Sequence, residues 1–239
     1  MDSLISFILF TAACLVFALL ASVADRRITA TFAIATALYL GLDGIITGIP
    51  NLVPSLDFIG GNWNWVGKIL SLAFSIVVII ALKISPDALG LRLKQEYPTL
   101  ACLSLIAFVI WGATLGTVFK PVADDAETLL FQATMPGLVE EIAYRAVAPA
   151  LLLGLINRQP HVHGIPWAVV VATSFMFGVW HALSFSNGSV HFELMSGLFP
   201  FLGSIVGGWL RFKTKSLLVP ILGHSLANVA FHVAGGFGS

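Results

Sequence analysis

The chain has 239 residues, 58% of them hydrophobic and only 10% charged, where an average soluble domain carries roughly 25% charged residues. That ratio excludes a soluble globule, because the sequence lacks the polar residues to coat so much apolar surface, and it makes the bilayer the solvent for most of the chain. Twelve basic and twelve acidic residues give a net charge of zero, so no basic field points to nucleic acid.

A helix needs about 20 apolar residues to cross about 30 Å of hydrocarbon. Eight segments meet or approach that length, near 3–24, 28–49, 66–84, 99–119, 134–157, 166–184, 194–212 and 216–234. Lipid satisfies no backbone polar group, so such spans are helices or a closed barrel, and runs without two-residue alternation exclude the barrel. The pattern predicts an all-α, multi-pass membrane helix bundle of about eight transmembrane helices. With no repeat, linker or low-complexity tail, it is one domain over 1–239.

The first segment looks like a signal-peptide core, with Ser22-Val23-Ala24 as a cleavage site. Asp2 precedes it, however, and the basic pair Arg26-Arg27 follows, the reverse of the usual order; it is read as a retained span. Cys14 and Cys102 sit in apolar runs and read as packing residues, with no disulfide or metal spacing. Pro50-Asn51 and Gly60-Gly61-Asn62 mark a loop whose Trp63 and Trp65 suit the membrane interface. Further loops open at Ser85-Pro86-Asp87 and at Lys120-Pro121 with Asp124-Asp125. Residues 127–133 read as an interfacial helix leading into the fifth span, with Pro136 in that span's first turn.

Basic residues are unevenly shared. Odd-numbered loops hold nine (Arg26, Arg27, Lys83, Arg92, Lys94, Arg158, Arg211, Lys213, Lys215) and even-numbered loops two, Lys68 and Lys120. The bias predicts both termini on the non-cytoplasmic side, of the inner membrane if the source is prokaryotic.

The informative residues are polar ones inside spans. Glu140, Glu141 and Arg145 share one membrane helix, where each charge costs about 2.5–3.5 kcal/mol at mid-bilayer and usually serves function. Glu141 and Arg145, four apart, can pair on one face. Glu140 then points elsewhere, toward the face of Tyr144. Left unpaired and buried, its carboxyl should titrate high, as a general base near neutral pH requires. The bland reading is an interhelical clamp, which accounts for Glu141 and Arg145 better than for Glu140. The sixth span puts Phe177 and His181 one turn apart, and the eighth does the same with His224 and Asn228. A lone membrane histidine is more often structural than catalytic; two histidines with a carboxylate helix and an aligned amide shift the balance. His232 extends the last stripe near the membrane exit, and His161, His163 and His191 read as solvated loop residues.

In that order, Glu140-Glu141-x-x-x-Arg145, Phe177-x-x-x-His181 and His224-x-x-x-Asn228 resemble the CPBP family, which comprises the CAAX prenyl endopeptidases and bacterial proteins of bacteriocin processing and self-immunity. Gly208-Trp209-Leu210-Arg211 and Ser216 to Ile221 add to the likeness, which covers about 127–234. The resemblance implies a glutamate-type intramembrane peptidase without a metal cofactor. Glu140 and His181 would activate water, His224 and Asn228 would stabilise the oxyanion, and Glu141, Arg145 and Phe177 would support them. The substrate would be a protein or peptide, lipidated or membrane-anchored, cut near its C-terminus; the oligomeric state stays open. Zinc held by Glu140, His181 and His224 is the chemical alternative. A non-catalytic immunity or binding protein, or a proton-coupled transporter, are the functional ones, although a transporter should show an internal repeat. Family CAAX peptidases act at the cytoplasmic face, whereas the charge bias turns this site outward.

Overall fold

The computed structural model describes residues 2–121, 125–156 and 164–236; Asp124, Arg158, His161 and His163 lie outside them. The chain opens with α1 (Asp2–Ala24) and α2 (Ala30–Thr47), followed by a single turn, α3 (Ile49–Leu52). After a 3₁₀ turn at Pro54–Leu56 come α4 (Trp65–Ala81), the short α5 (Pro86–Leu89) and α6 (Pro98–Phe119). Next, α7 (Ala126–Glu141) runs through a π-helical turn (Ile142–Val147) into α8 (Ala148–Leu152). The last helices are α9 (Trp167–Ala182), α10 (Leu194–Thr214) and α11 (Leu218–Gly236).

The helices start where the sequence offers caps. The side chains of Thr29, Asn64 and Asp125 accept from the backbone N–H of Phe32, Gly67 and Thr128, satisfying donors that a helix start leaves free. Among the described residues, α1, α2, α6 and α11 are long and apolar enough to cross a membrane, and α4 and α9 are apolar but shorter. Leu103, Ile106, Ile110 and Val118 of α6 all point outward, an arrangement that suits lipid and not water. The shared core joins α1, α2, α8 and α9 through Phe10, Cys14, Leu40, Leu151 and Met176. Cys14 is buried there, and Cys102 is an exposed free thiol.

Two close approaches fix α11. On α6, a side chain added at Gly112 or Gly116 would strike the backbone of Ala227 or Phe231. On α7, one added at Gly137 would strike Ser225 and the carbonyl of Ile221. Only glycine lets these backbones come so near, the small-residue packing expected inside a membrane.

Three readings are corrected. The stretch 127–133 is no separate interfacial helix: Asp125 caps a continuous α7 that carries Pro136 in its interior. The all-α bundle is as expected, with one antiparallel hairpin, β1 (Leu183–Ser186) and β2 (Ser189–Phe192), between α9 and α10. Its turn is Asn187-Gly188, both residues at positive φ, the pair most suited to a two-residue hairpin. Arg211 is not a loop residue but a buried one on α10, and Lys68 is not a loop residue either but lies in the first turns of α4.

The burial of Arg211 has a local cause. Pro149 has no N–H for the carbonyl of Arg145, four residues earlier. Arg211 Nε donates to that carbonyl at 3.3 Å, and its Nη2 donates to Ala88 O at 2.6 Å. The guanidinium thus completes the backbone of the π turn, a helix distortion that recurs at functional sites.

Candidate active site

One cavity of about 510 Å³ lies between α4, α6, α7, α9, α10 and α11. Its polar lining is Lys68, Gln132, Glu140, Glu141, Arg145, His181, His224 and Asn228, and its wall includes Phe108, Trp111, Phe131, Phe177, Phe199 and Phe231. All seven residues singled out in the sequence therefore face one space. The glycine contacts explain why, since Gly137 brings α7 against α11 one turn from Glu141 and His224.

His224 stands between the two carboxylates. Its Nδ1 is 2.9 Å from Glu141 Oε1, and its Nε2 is 3.8 Å from Glu140 Oε2. An ionised carboxylate only accepts hydrogen bonds, so Nδ1 carries the proton and Nε2 faces the cavity. His181 is fixed in the same sense: its Nδ1 lies 2.9 Å from the carbonyl of Phe177, which leaves Nε2 free. Asn228 Nδ2 donates to Gln132 Oε1 at 2.9 Å, which orients the amide and keeps a second N–H. Phe177 is the common wall. Its ring centroid is 4.6 Å from that of His181 and 6.0 Å from that of His224, and the Arg145 guanidinium sits 4.4 Å over it.

Glu141 and Arg145 pair at 3.0 Å, as their spacing predicts; the atoms meet as charges without the alignment of a hydrogen bond, and Arg145 Nε and Nη1 have no such partner. The expectation for Glu140 is corrected. It is not unpaired, because Lys68 Nζ donates to its Oε1 at 2.5 Å, and the premise of a lone carboxylate falls. Nor is Glu140 turned away from the Glu141–Arg145 pair. All three line the cavity, while Tyr144 leaves its predicted face and packs edge-on against Phe177 at 4.9 Å, because the π turn resets the helical phase after Glu141. Glu140 Oε2 is buried and makes no hydrogen bond to the described residues.

Residues 124–230 match the family model described as type II CAAX prenyl endopeptidase, Rce1-like. That stretch, a little under half of the chain, is similar to the CPBP/CAAX protease family. No curated protein and no solved structure gives a significant match. Proteins of that description are endopeptidases, and the long apolar helices described above suit an integral membrane protein.

Sequence reasoning missed three polar residues of this cavity and its surroundings. Lys68 stands at the start of an apolar run beside a loop, Gln132 lies in the stretch that reads as an interfacial helix, and Asp43 sits inside the second apolar span. Asp43 is buried and accepts from Ser71 Oγ at 2.6 Å. Each carried a usable signal, since a charged or amide residue inside a span is functional by default. The predicted interfacial tryptophans pack on α7: Trp63 Nε1 donates to Thr128, Trp65 Nε1 donates to Glu127, and both rings meet Phe131. Ser225, beside His224 in sequence, is buried against Gly137. His191 is exposed on β2. Among the described residues no group of three or more His, Cys, Asp or Glu side chains is arranged to hold a metal ion.

Proposed function

We propose that the chain is an intramembrane endopeptidase of glutamate type, cutting a peptide bond near the C-terminus or membrane anchor of a protein substrate. The observation that carries this reading is Glu140 Oε2: a buried carboxylate oxygen without a protein hydrogen bond, 3.8 Å from an imidazole nitrogen. Water held by that oxygen and by His181 Nε2 loses a proton to Glu140 as its oxygen bonds to the scissile carbonyl carbon. The carbonyl oxygen becomes an oxyanion, to which the free N–H of Asn228 donates. His224 donates as well in its doubly protonated form, an imidazolium flanked by two carboxylates. When the tetrahedral adduct collapses, the C–N bond breaks, and the proton taken by Glu140 passes to the departing amine. No metal enters this scheme, so activity should survive chelation; one tightly bound zinc per chain would replace it.

The same reading makes all eight long helical stretches membrane-crossing. α4 and α9, with 17 and 16 residues, span about 24–26 Å at 1.5 Å per residue and flank the polar cavity, where the bilayer can thin to meet them.

The test is incubation of purified protein in detergent with membrane-anchored peptides of varied C-terminal sequence. Glu140→Ala should abolish product formation, and His224→Ala or Asn228→Ala should each lower kcat by about 10²–10³, as loss of an oxyanion donor does. If the folded Glu140→Ala protein cleaves as well as the parent, the peptidase reading is lost. If no peptide is cut and a partner protein binds equally to both forms, the immunity or binding role replaces it.

A further inference from the structure

The family match begins at residue 124, yet the side chain in closest polar contact with Glu140 comes from residue 68. Lys68 lies on α4, one turn beyond its cap Asn64, and its stem and ammonium are almost wholly enclosed. A lysine held in a mostly apolar bundle is costly unless paired, and both its acidic neighbours are in place. Glu140 takes the ammonium directly at 2.5 Å. Asp43, on α2, interacts electrostatically with both Lys68 and Glu140 and is tied to α4 through Ser71. The cavity lining around the pair also holds His181 on α9, His224 on α11 with its Nε2 3.8 Å from Glu140 Oε2, and the Glu141–Arg145 pair, and Tyr144 stands behind Phe177. Tyr39 and Ser75, one turn further along α2 and α4, bond to each other at 2.7 Å and continue the polar seam that joins these helices.

The ammonium engages one carboxylate oxygen and not the other. Lys68 binds Oε1, while Oε2 is left toward His224 and the cavity. A point charge on a flexible stem can do this, whereas a free carboxylate would rotate between equivalent rotamers.

We propose that Lys68 is a positioning residue of the peptidase site. It pins Glu140 by Oε1 so that Oε2 alone is presented to the attacking water, and Asp43 with Ser71 anchors α2 to the helix that carries it. The catalytic constellation is then composite, completed by the N-terminal half that the family match does not reach. The inference rests on the peptidase reading of Glu140.

Steady-state cleavage by full-length protein in detergent tests it, with the folded fraction of each variant followed by thermal unfolding. Lys68→Met should lower kcat by about 100-fold, the cost of misplacing a reacting group by about 1 Å, with KM unchanged because Lys68 does not hold the substrate. Lys68→Arg, which restores a cation, should recover at least about tenfold over Lys68→Met. If Lys68→Met does not fold, Lys68→Gln is read in its place with the same expectation. The proposal is overturned if a folded neutral variant keeps the parent kcat, if KM rises as far as kcat falls, or if arginine is no better than methionine. Glu140→Ala separates the two failures. An active Glu140→Ala removes the peptidase reading itself, whereas an inactive one beside a fully active Lys68→Met removes only the role of Lys68.

Discussion

Glu141 serves His224 and Arg145 at once, one oxygen for each. Because a carboxylate cannot donate, it forces the imidazole proton onto Nδ1 and turns Nε2 toward the cavity. Glu141→Gln removes that constraint, since an amide can meet Nδ1 as donor or acceptor. The expected outcome is a fall in kcat of about 10²–10⁴ with little change in KM, the scale seen when a serine protease loses the carboxylate behind its histidine. Steady-state kinetics with product detection checks it. The same variant leaves Arg145 buried without its counter-ion, which costs about 3–5 kcal/mol, so the thermal midpoint should fall as well. Gln132 has a smaller part. Gln132→Leu releases the Asn228 amide from its orienting bond, and kcat should drop about tenfold, less than on loss of Asn228, which removes the donor outright. An equal drop in both would mean that Gln132 itself touches the substrate.

Elements are joined by groups that pair backbone with backbone or stand in for a missing bond. Arg211 supplies donors to the carbonyls of Arg145 and Ala88, on the π turn and α5. Arg211→Met leaves both buried acceptors unsatisfied, at about 1–3 kcal/mol each, and Arg211→Lys restores at most one because an ammonium lacks the fork. Thermal unfolding in detergent should therefore rank parent, lysine and methionine in that order. Gly112→Val forces α6 away from Ala227 at about 1–3 kcal/mol or more, the cost of overpacking. Because Asn228 is the next residue on α11, activity should fall further than the folded fraction does. The helices themselves were legible in the sequence, since long apolar runs between loop residues leave few alternatives. So was the pairing of Glu141 with Arg145, a contact local to one helix. The partner of Glu140 was not. Lys68 stands 72 residues earlier, and no periodicity within one helix reports which neighbour faces it. The π turn was hidden for a related reason: its cause is Pro149 meeting a guanidinium from α10, a tertiary event. The hairpin was legible and overlooked, since Asn187-Gly188 between short β-prone runs is its usual signature.

At the scale of the molecule, the site and the charges occupy opposite ends. The cavity opens among the starts of α4 and α7 and the ends of α9 and α11, beside the hairpin. Arg26, Arg27, Lys83, Arg92, Lys94, Lys213 and Lys215 lie in or beside the connections at the other end. Burial sharpens the bias. Among the described residues, withdrawing the buried Arg211 from one side and the enclosed Lys68 from the other leaves seven against one. Exposed loop cations are the ones that resist translocation, so the basic end should be cytoplasmic and the cavity should open outward. A cysteine placed at Asn187, on the hairpin, should react with an impermeant maleimide on intact cells, in a Cys102→Ser background because Cys102 is exposed. One placed at Lys94 should react only after permeabilisation. That pattern assigns the site to substrates exported or anchored on the outer side. The reverse pattern would return it to the cytoplasmic face, where prenylated tails are found, and would mean that these basic residues serve some purpose other than orientation.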